Sequence, residues 1–152
     1  MHRRFPPARL PDVPFPLATL LTVLALQPAW AQQATPAPGL TLELNALQPA
    51  QAGCRVTFLA TNNLPGQLDR AAVEMAFFLT DGAIDRIVTL DFKALSPGKT
   101  KVLQFELAGL ACPQLGRLLI NDITACEGTD MAPTACLAGL VTASRPDISF
   151  GI

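Results

Sequence analysis

The sequence predicts an all-β fold: an immunoglobulin-like antiparallel β-sandwich of about seven strands, stapled by disulfides. Three observations carry this. Short apolar–polar alternations recur from residue 40 onward, and clusters of turn-forming residues separate them. No long amphipathic helix interrupts the series. Four cysteines, Cys54, Cys112, Cys126 and Cys136, all follow an export-type leader, and an even count in a small exported domain points to disulfides.

The elements follow in chain order. Residues 40–45 (Leu-Thr-Leu-Glu-Leu-Asn) alternate without a break and read as a half-buried strand. In residues 54–61, Cys54, Val56, Phe58 and Ala60 share one face, and Asn62-Asn63-Leu64-Pro65-Gly66 then breaks the strand. Val73, Met75, Phe77 and Leu79 share a face of the next strand; their period of two argues against a helix over 68–79. Asp81-Gly82 is a tight-hairpin dipeptide, and residues 84–92 return with Val88, Leu90 and Phe92 inward. Ser96-Pro97-Gly98 is another turn, followed by residues 101–107 with Leu103, Phe105 and Leu107 on the apolar face. Residues 117–126 form the most continuously apolar run and are expected at the centre of a sheet. Residues 137–144 complete the set.

Residues 1–31 read as a cleaved signal peptide. Arg3, Arg4 and Arg9 make the positive region, residues 17–26 the apolar region, and Ala29 and Ala31 the small residues of the cleavage site. That apolar run is shorter than the roughly 20 residues needed to span a bilayer, so no transmembrane anchor is expected after cleavage. Residues 32–39 are expected to be a disordered linker and residues 40–152 one sandwich domain. The expected location is periplasmic or secreted. After Ala31 the chain has eight Lys and Arg against eleven Asp and Glu, a net charge of −3. It contains no basic cluster, which argues against nucleic acid as a partner.

The same segment contains no histidine, tyrosine or tryptophan, since His2 and Trp30 lie in the leader. Histidine is the side chain that titrates near neutral pH, so general acid–base and Ser–His or Cys–His chemistry have no material here. Carboxylate-pair chemistry lacks the aromatic residues that stack a sugar. The chain is therefore read as not an enzyme. Neither a zinc-type nor a thioredoxin-type Cys-x-x-Cys occurs, and Met75 and Met131 are too separated to add a copper site; no metal or cofactor is expected. The favoured pairings are Cys54–Cys112, tying the start of one strand to the loop before another, and Cys126–Cys136, closing a segment rich in turn formers.

Residues 40–45 (Leu-Thr-Leu-Glu-Leu-Asn), 95–100 (Leu-Ser-Pro-Gly-Lys-Thr) and 118–126 (Leu-Leu-Ile-Asn-Asp-Ile-Thr-Ala-Cys) carry a resemblance. Over most of residues 40–145 the chain resembles small exported proteins of Gram-negative bacteria that are labelled by a twin-arginine-type leader and have no assigned activity. Its hairpin followed by Pro-Gly-Lys-Thr is also similar to bacterial immunoglobulin-like modules of the FxLYD kind. The resemblance implies a fold more than a function. The leader departs from the pattern, because two prolines follow Arg3-Arg4-Phe5, and this leaves the general secretory and twin-arginine routes both open.

Four candidate site features remain. Gly98-Lys99-Thr100 ends as a P-loop does, but position 93 is Lys where the motif needs Gly, so a turn is expected. Asp81, Asp85 and Asp91 do not have calcium-loop spacing and read as a solvated face. Asn121 and Asp122 interrupt an apolar strand: either they mark a bulge or hydrogen-bond a neighbouring loop, or with Arg117 or Arg55 they hold a small anion or a partner's backbone. The free edges of the sandwich, expected at residues 40–45 or 137–144, are surfaces where a strand of an envelope protein partner would pair. The function expected is a non-enzymatic periplasmic module acting through protein contacts in an accessory, assembly or scaffolding role; the alternative is a small-ligand or metal-ion carrier. The oligomeric state is not set by the sequence.

Overall fold

Each period-two run of the sequence becomes a strand. The computed structural model describes residues 38–152; the leader and residues 32–37 of the linker lie outside the described residues. In chain order the elements are β1 (Leu40–Pro49), β2 (Gly53–Asn62), β3 (Leu68–Leu79), β4 (Ile84–Leu95), β5 (Thr100–Ala108), a 3-10 turn (Cys112–Gln114), β6 (Leu115–Glu127), a helical turn α1 (Ala135–Ala138), β7 (Val141–Ser144) and β8 (Ser149–Gly151). They build two four-stranded sheets, ordered β5-β2-β1-β7 and β4-β3-β6-β8. With β1, β2 and β5 in one sheet and β3 and β6 in the other, the partition is that of an immunoglobulin-like sandwich.

The inward rows anticipated above form the core. Leu40, Leu42, Leu44, Val56, Phe58 and Ala60 of the first sheet are fully buried, as are Val73, Met75, Phe77 and Phe92 of the second. Burial of each large side chain is worth about 1.5–3 kcal/mol. In place of an aromatic–disulfide centre, four phenylalanines meet edge to face: Phe58 lies 5.8 Å from Phe92, 6.1 Å from Phe105 and 5.6 Å from Phe150. Phe58 and Phe105 belong to one sheet and Phe92 and Phe150 to the other, so the cluster holds the layers together.

One buried polar residue organises the end of the sandwich. Asn62, at the end of β2, is fully buried. Its Nδ2 donates to the Gly66 and Leu95 carbonyls at 2.9 Å each, and its Oδ1 accepts from the Leu64 N–H at 3.0 Å. The Asn62 carbonyl also accepts from the Gly98 N–H at 2.8 Å. A residue read only as a turn former thus connects the β2–β3 crossover, the end of β4 and the turn into β5.

Both disulfides have the favoured pairing. Cys54–Cys112 joins β2 to the 3-10 turn that leads into β6, and Cys126–Cys136 joins β6 to α1.

The structure corrects several expectations. Residues 40–45 are not an edge: β1 is paired with β2 on one side and β7 on the other. The strand expected over 137–144 is only Val141–Ser144, because the alanine-rich Ala135–Ala138 makes a helical turn whose Cys136 is pinned to β6, ending at Gly139. The sheets are mixed, since β7 runs parallel to β1 and β8 parallel to β6. That follows from the tether at Cys136, after which the chain passes along β1, reverses through residues 145–148 and reaches the other sheet as an unanticipated eighth strand. Strand β1 also runs on to Pro49, with a bulge between Leu44 and Ala46 that shifts the alternation by one and masks the continuation in the sequence. The chain is already packed at Gly39, where a Cβ would lie 2.0 Å from the Gly139 carbonyl oxygen.

Two outcomes are expected. Asn62→Ala leaves buried carbonyls and an N–H unpaired and lowers unfolding free energy by about 2–4 kcal/mol in urea titrations. Loop entropy favours the longer closure, 58 residues against 10. Removing Cys54–Cys112 by double Ser substitution therefore costs about 4 kcal/mol, and removing Cys126–Cys136 about 2.7 kcal/mol, measured the same way.

Candidate interaction edge

The four residues read as a polar binding group do not converge. Asn121 and Asp122 lie exposed on the outer face of the second sheet, because that face has no covering layer. The β3–β6 register steps from Glu74↔Asp122 to Met75↔Ile120, leaving Asn121 as the extra residue of a bulge. Its Nδ2 donates to the Glu74 carboxylate, and Asp122 Oδ1 accepts from the Ile123 N–H at 2.8 Å. The bulge account of this pair therefore describes what the residues do. Arg117 lies toward the other end of β6, its guanidinium 4.1 Å from the Phe78 ring centroid. Arg55 belongs to the other sheet, where it stands opposite Glu106 of β5.

The remaining polar motifs serve the fold. Gly98 has φ of 69° and sits in a turn closed by Lys99 N–H to Ser96 O at 3.2 Å, which accounts for Gly-Lys-Thr. Asp81 Oδ1 accepts from the Ala83 N–H at 2.9 Å in the β3–β4 hairpin, and Asp85 pairs with Arg86. Asp91 accepts from the Lys93 N–H at 2.8 Å, from Lys93 Nζ at 3.1 Å and from Arg70 Nε at 3.3 Å. The Lys93 N–H bond first, then the Lys93 and Arg70 side chains, hold the Asp91 carboxyl below the usual carboxylate range. Lys93 itself is left-handed, with φ of 63°. All four cysteine sulfurs are in disulfides, which removes thiolate ligands from any carrier role. Among the described residues no three His, Cys, Asp or Glu side chains converge.

Two open cavities flank the sandwich. One, of about 490 Å³, is lined by Phe78, Thr80, Gly82, Gly116, Arg117 and Ser149. The other, of about 450 Å³, lies beside the Cys54–Cys112 bridge between residues 49–53 and 109–113.

The edges are more distinctive. A free strand edge presents unpaired backbone donors and acceptors, and proteins usually guard it with brevity, bulges or charge. Three of the four edges are guarded. Strands β7 and β8 have four and three residues. Strand β4 is long but is bulged at both ends, carries left-handed Lys93 and bears Asp85, Arg86, Asp91 and Lys93. Strand β5 is neither short nor bulged, and charge is its one defence. It pairs with β2 through nine consecutive residues without a register shift. Its only charges are Lys101 and Glu106, and the stretch Val102-Leu103-Gln104-Phe105 between them is uncharged. Val102 is 62% exposed on the outer face. On the inner face Leu103 and Phe105, together with Val88 of β4, pack against the core and are only partly buried. This site was legible in the sequence only as an alternating strand; which strand has a free side depends on the sheet order.

In comparisons with known proteins the chain matches no family model, no curated protein and no solved structure.

The Asp91 shift has a pH consequence. A carboxyl held below its unfolded value stabilises the fold above that value, near pH 3.9, and the contribution is lost as pH falls through the folded one. Asp91→Asn is therefore expected to lower the thermal midpoint at pH 7, with the difference from the wild type shrinking as pH falls below the unfolded carboxyl value in a scanning series.

Proposed function

We propose that this chain is an exported, non-enzymatic β-sandwich module that works through protein contacts, in an accessory, assembly or scaffolding role in the bacterial periplasm or as a secreted protein, and that β5 is its contact edge. The long, regular ladder of this edge carries the reading. A partner strand laid along Thr100–Ala108 would take up the outward backbone groups, each bond worth about 0.5–1.5 kcal/mol net, while its alternate side chains cover Leu103 and Phe105. Backbone pairing supplies affinity and these side chains supply register, so the interaction needs no tyrosine or tryptophan anchor.

The export reading is supported by the leader pattern of residues 1–31 and by two disulfides, which persist in oxidising compartments. The non-enzymatic reading is supported by the absence of histidine after Ala31 and by the engagement of the clustered aspartates in turns and ion pairs.

A second reading, a small-ligand carrier, draws on Arg117. Its guanidinium lies over the Phe78 ring, and Arg117 lines the cavity of about 490 Å³ with Thr80 and Ser149, an arrangement suited to a carboxylate or phosphate. Native mass spectrometry of the periplasmic protein without reductant separates the two: a retained small anion, lost in Arg117→Ala, supports the carrier, and a ligand-free mass lower by two disulfides removes it.

For the contact reading, a photoreactive residue at Val102 is expected to give one discrete protein adduct in the exporting cell. The same residue at Ile87 on the guarded β4 edge gives at least about tenfold less, since that edge is charged and bulged. Equal yields at the two positions would overturn the assignment to β5.

A further inference from the structure

We infer that the Arg117 cavity and the sheet face beside it form one site for a single-chain anionic amphiphile, a carboxylate of the fatty-acid class, with its head at Arg117 and its chain laid across Ala76, Leu119 and Ile87. This rests on the small-ligand reading of Arg117 above and names the ligand class.

Strand geometry builds the head site. The β3–β6 register steps from Phe78↔Arg117 to Leu79↔Leu115, so Gly116 is the extra residue of a bulge. A Cβ there would lie 2.7 Å from the Leu79 carbonyl oxygen and 2.8 Å from the Thr80 Cα, so glycine is what lets β6 close on the hairpin at this point. The bulge, the hairpin residues Thr80 and Gly82, and Ser149 of β8 border the cavity of about 490 Å³. Arg117 supplies its charge. The ion pairs among the described residues join Arg70 to Asp91 and Glu127, Arg86 to Asp85, Lys93 to Asp91 and Arg145 to Glu43; Arg117 is in none of them. Its guanidinium lies 4.1 Å from the Phe78 ring centroid, a contact that steadies the planar fork without using its N–H donors. The acids at neighbouring strand positions have partners of their own: Asp81 accepts from the Ala83 N–H, Asp85 pairs with Arg86, and Glu74 accepts from Asn121.

The same registers lay out the chain track. On the outer face Phe78 stands between Ile84 of β4 and Arg117 of β6; one row along, Ala76 stands between Ile87 and Leu119. Ile84 is 55% exposed and Ile87 49%, and Phe78 and Leu119 are half-buried. The following row is Thr89, Glu74 and Asp122, which ends the apolar surface. The patch is thus two rows long and three strands wide, about 7 Å by 10 Å. That area suits one extended acyl chain leaving the cavity, and its burial against Ile87 and Leu119 is favourable. An anionic bilayer would call for a cluster of basic residues, whereas this face offers one cation outside an ion pair.

The test uses the mature, oxidised protein in amide and methyl NMR titrations with sodium butyrate and with sodium decanoate below its micelle-forming concentration. Butyrate is expected to shift Thr80, Gly82, Gly116 and Arg117. Decanoate is expected to shift these and also Ile87 and Leu119, with a Kd at least about tenfold lower. Ile87→Ser removes most of that chain-length gain, and Arg117→Gln weakens both carboxylates at least about fivefold. Both side chains are exposed, and thermal unfolding of each variant confirms that the fold is kept. Equal affinities for the two carboxylates would overturn the amphiphile and leave the small-anion reading standing. Decanoate held as tightly by Arg117→Gln would overturn the head assignment and the proposal with it. Capture of the protein by vesicles of anionic phospholipid would overturn it in favour of a membrane surface. If neither carboxylate binds, the amphiphile and the small-anion reading both fail.

Discussion

The single buried amide of Asn62 governs how the two sheets are connected. Its side chain has one acceptor and two donor hydrogens, and all are used: Leu64 N–H on one side, the Gly66 and Leu95 carbonyls on the other. These partners come from the crossover between the sheets and from the last residue of β4. The Asn62 carbonyl then receives the Gly98 N–H, which places the turn that starts β5. Because an unpaired polar group in such a site is costly, the geometry of all three segments is linked. No buried side-chain nitrogen or oxygen among the described residues lacks a partner.

The core around this point is modest in its means. It relies on aliphatic rows and four phenylalanines in edge-to-face contact, where immunoglobulin domains of the antibody type use a tryptophan against a bridge between the sheets. Cys54–Cys112 performs a comparable joining role: it runs from a core strand of one sheet to the segment entering the central strand of the other. Cys126–Cys136 has a different effect. By holding α1 against β6 it determines where the chain resumes, and so gives the two short parallel pairings that close one side of the sandwich. The disulfides thus shape topology as well as restricting the unfolded chain.

Closing one side leaves the other open. On the β7–β8 side the strands are short and the chain crosses between sheets; on the β4–β5 side two long strands end their sheets next to one another. Of these, β4 carries bulges and several charges, and β5 carries a regular ladder with the partly buried Leu103 and Phe105 on its inner face. The asymmetry has a plain physical reading. A strand added there, as proposed above, would pair the free backbone of β5 and cover Leu103 and Phe105.

The sequence by itself determined the fold class, most strand cores, the hairpin at Asp81-Gly82 and the turn at Ser96-Pro97-Gly98, because these depend on local periodicity and turn chemistry, and it favoured the two disulfide pairings that the structure contains. Tertiary structure decided what local patterns do not encode. The Asn121-Asp122 interruption looked like a polar pair inside a core, but one face of its sheet is open to solvent, so the pair became a surface bulge. Arg55 and Arg117 were close candidates only in composition; the sandwich puts them in different sheets. Residues 40–45 and 101–107 are equally good alternating strands in sequence, yet one is enclosed between two neighbours and the other has a free side. Alternation states which face of a strand is buried, whereas strand order states which edge is exposed, and that order is fixed by Asn62, the phenylalanine cluster and the Cys126–Cys136 tether acting across the whole chain.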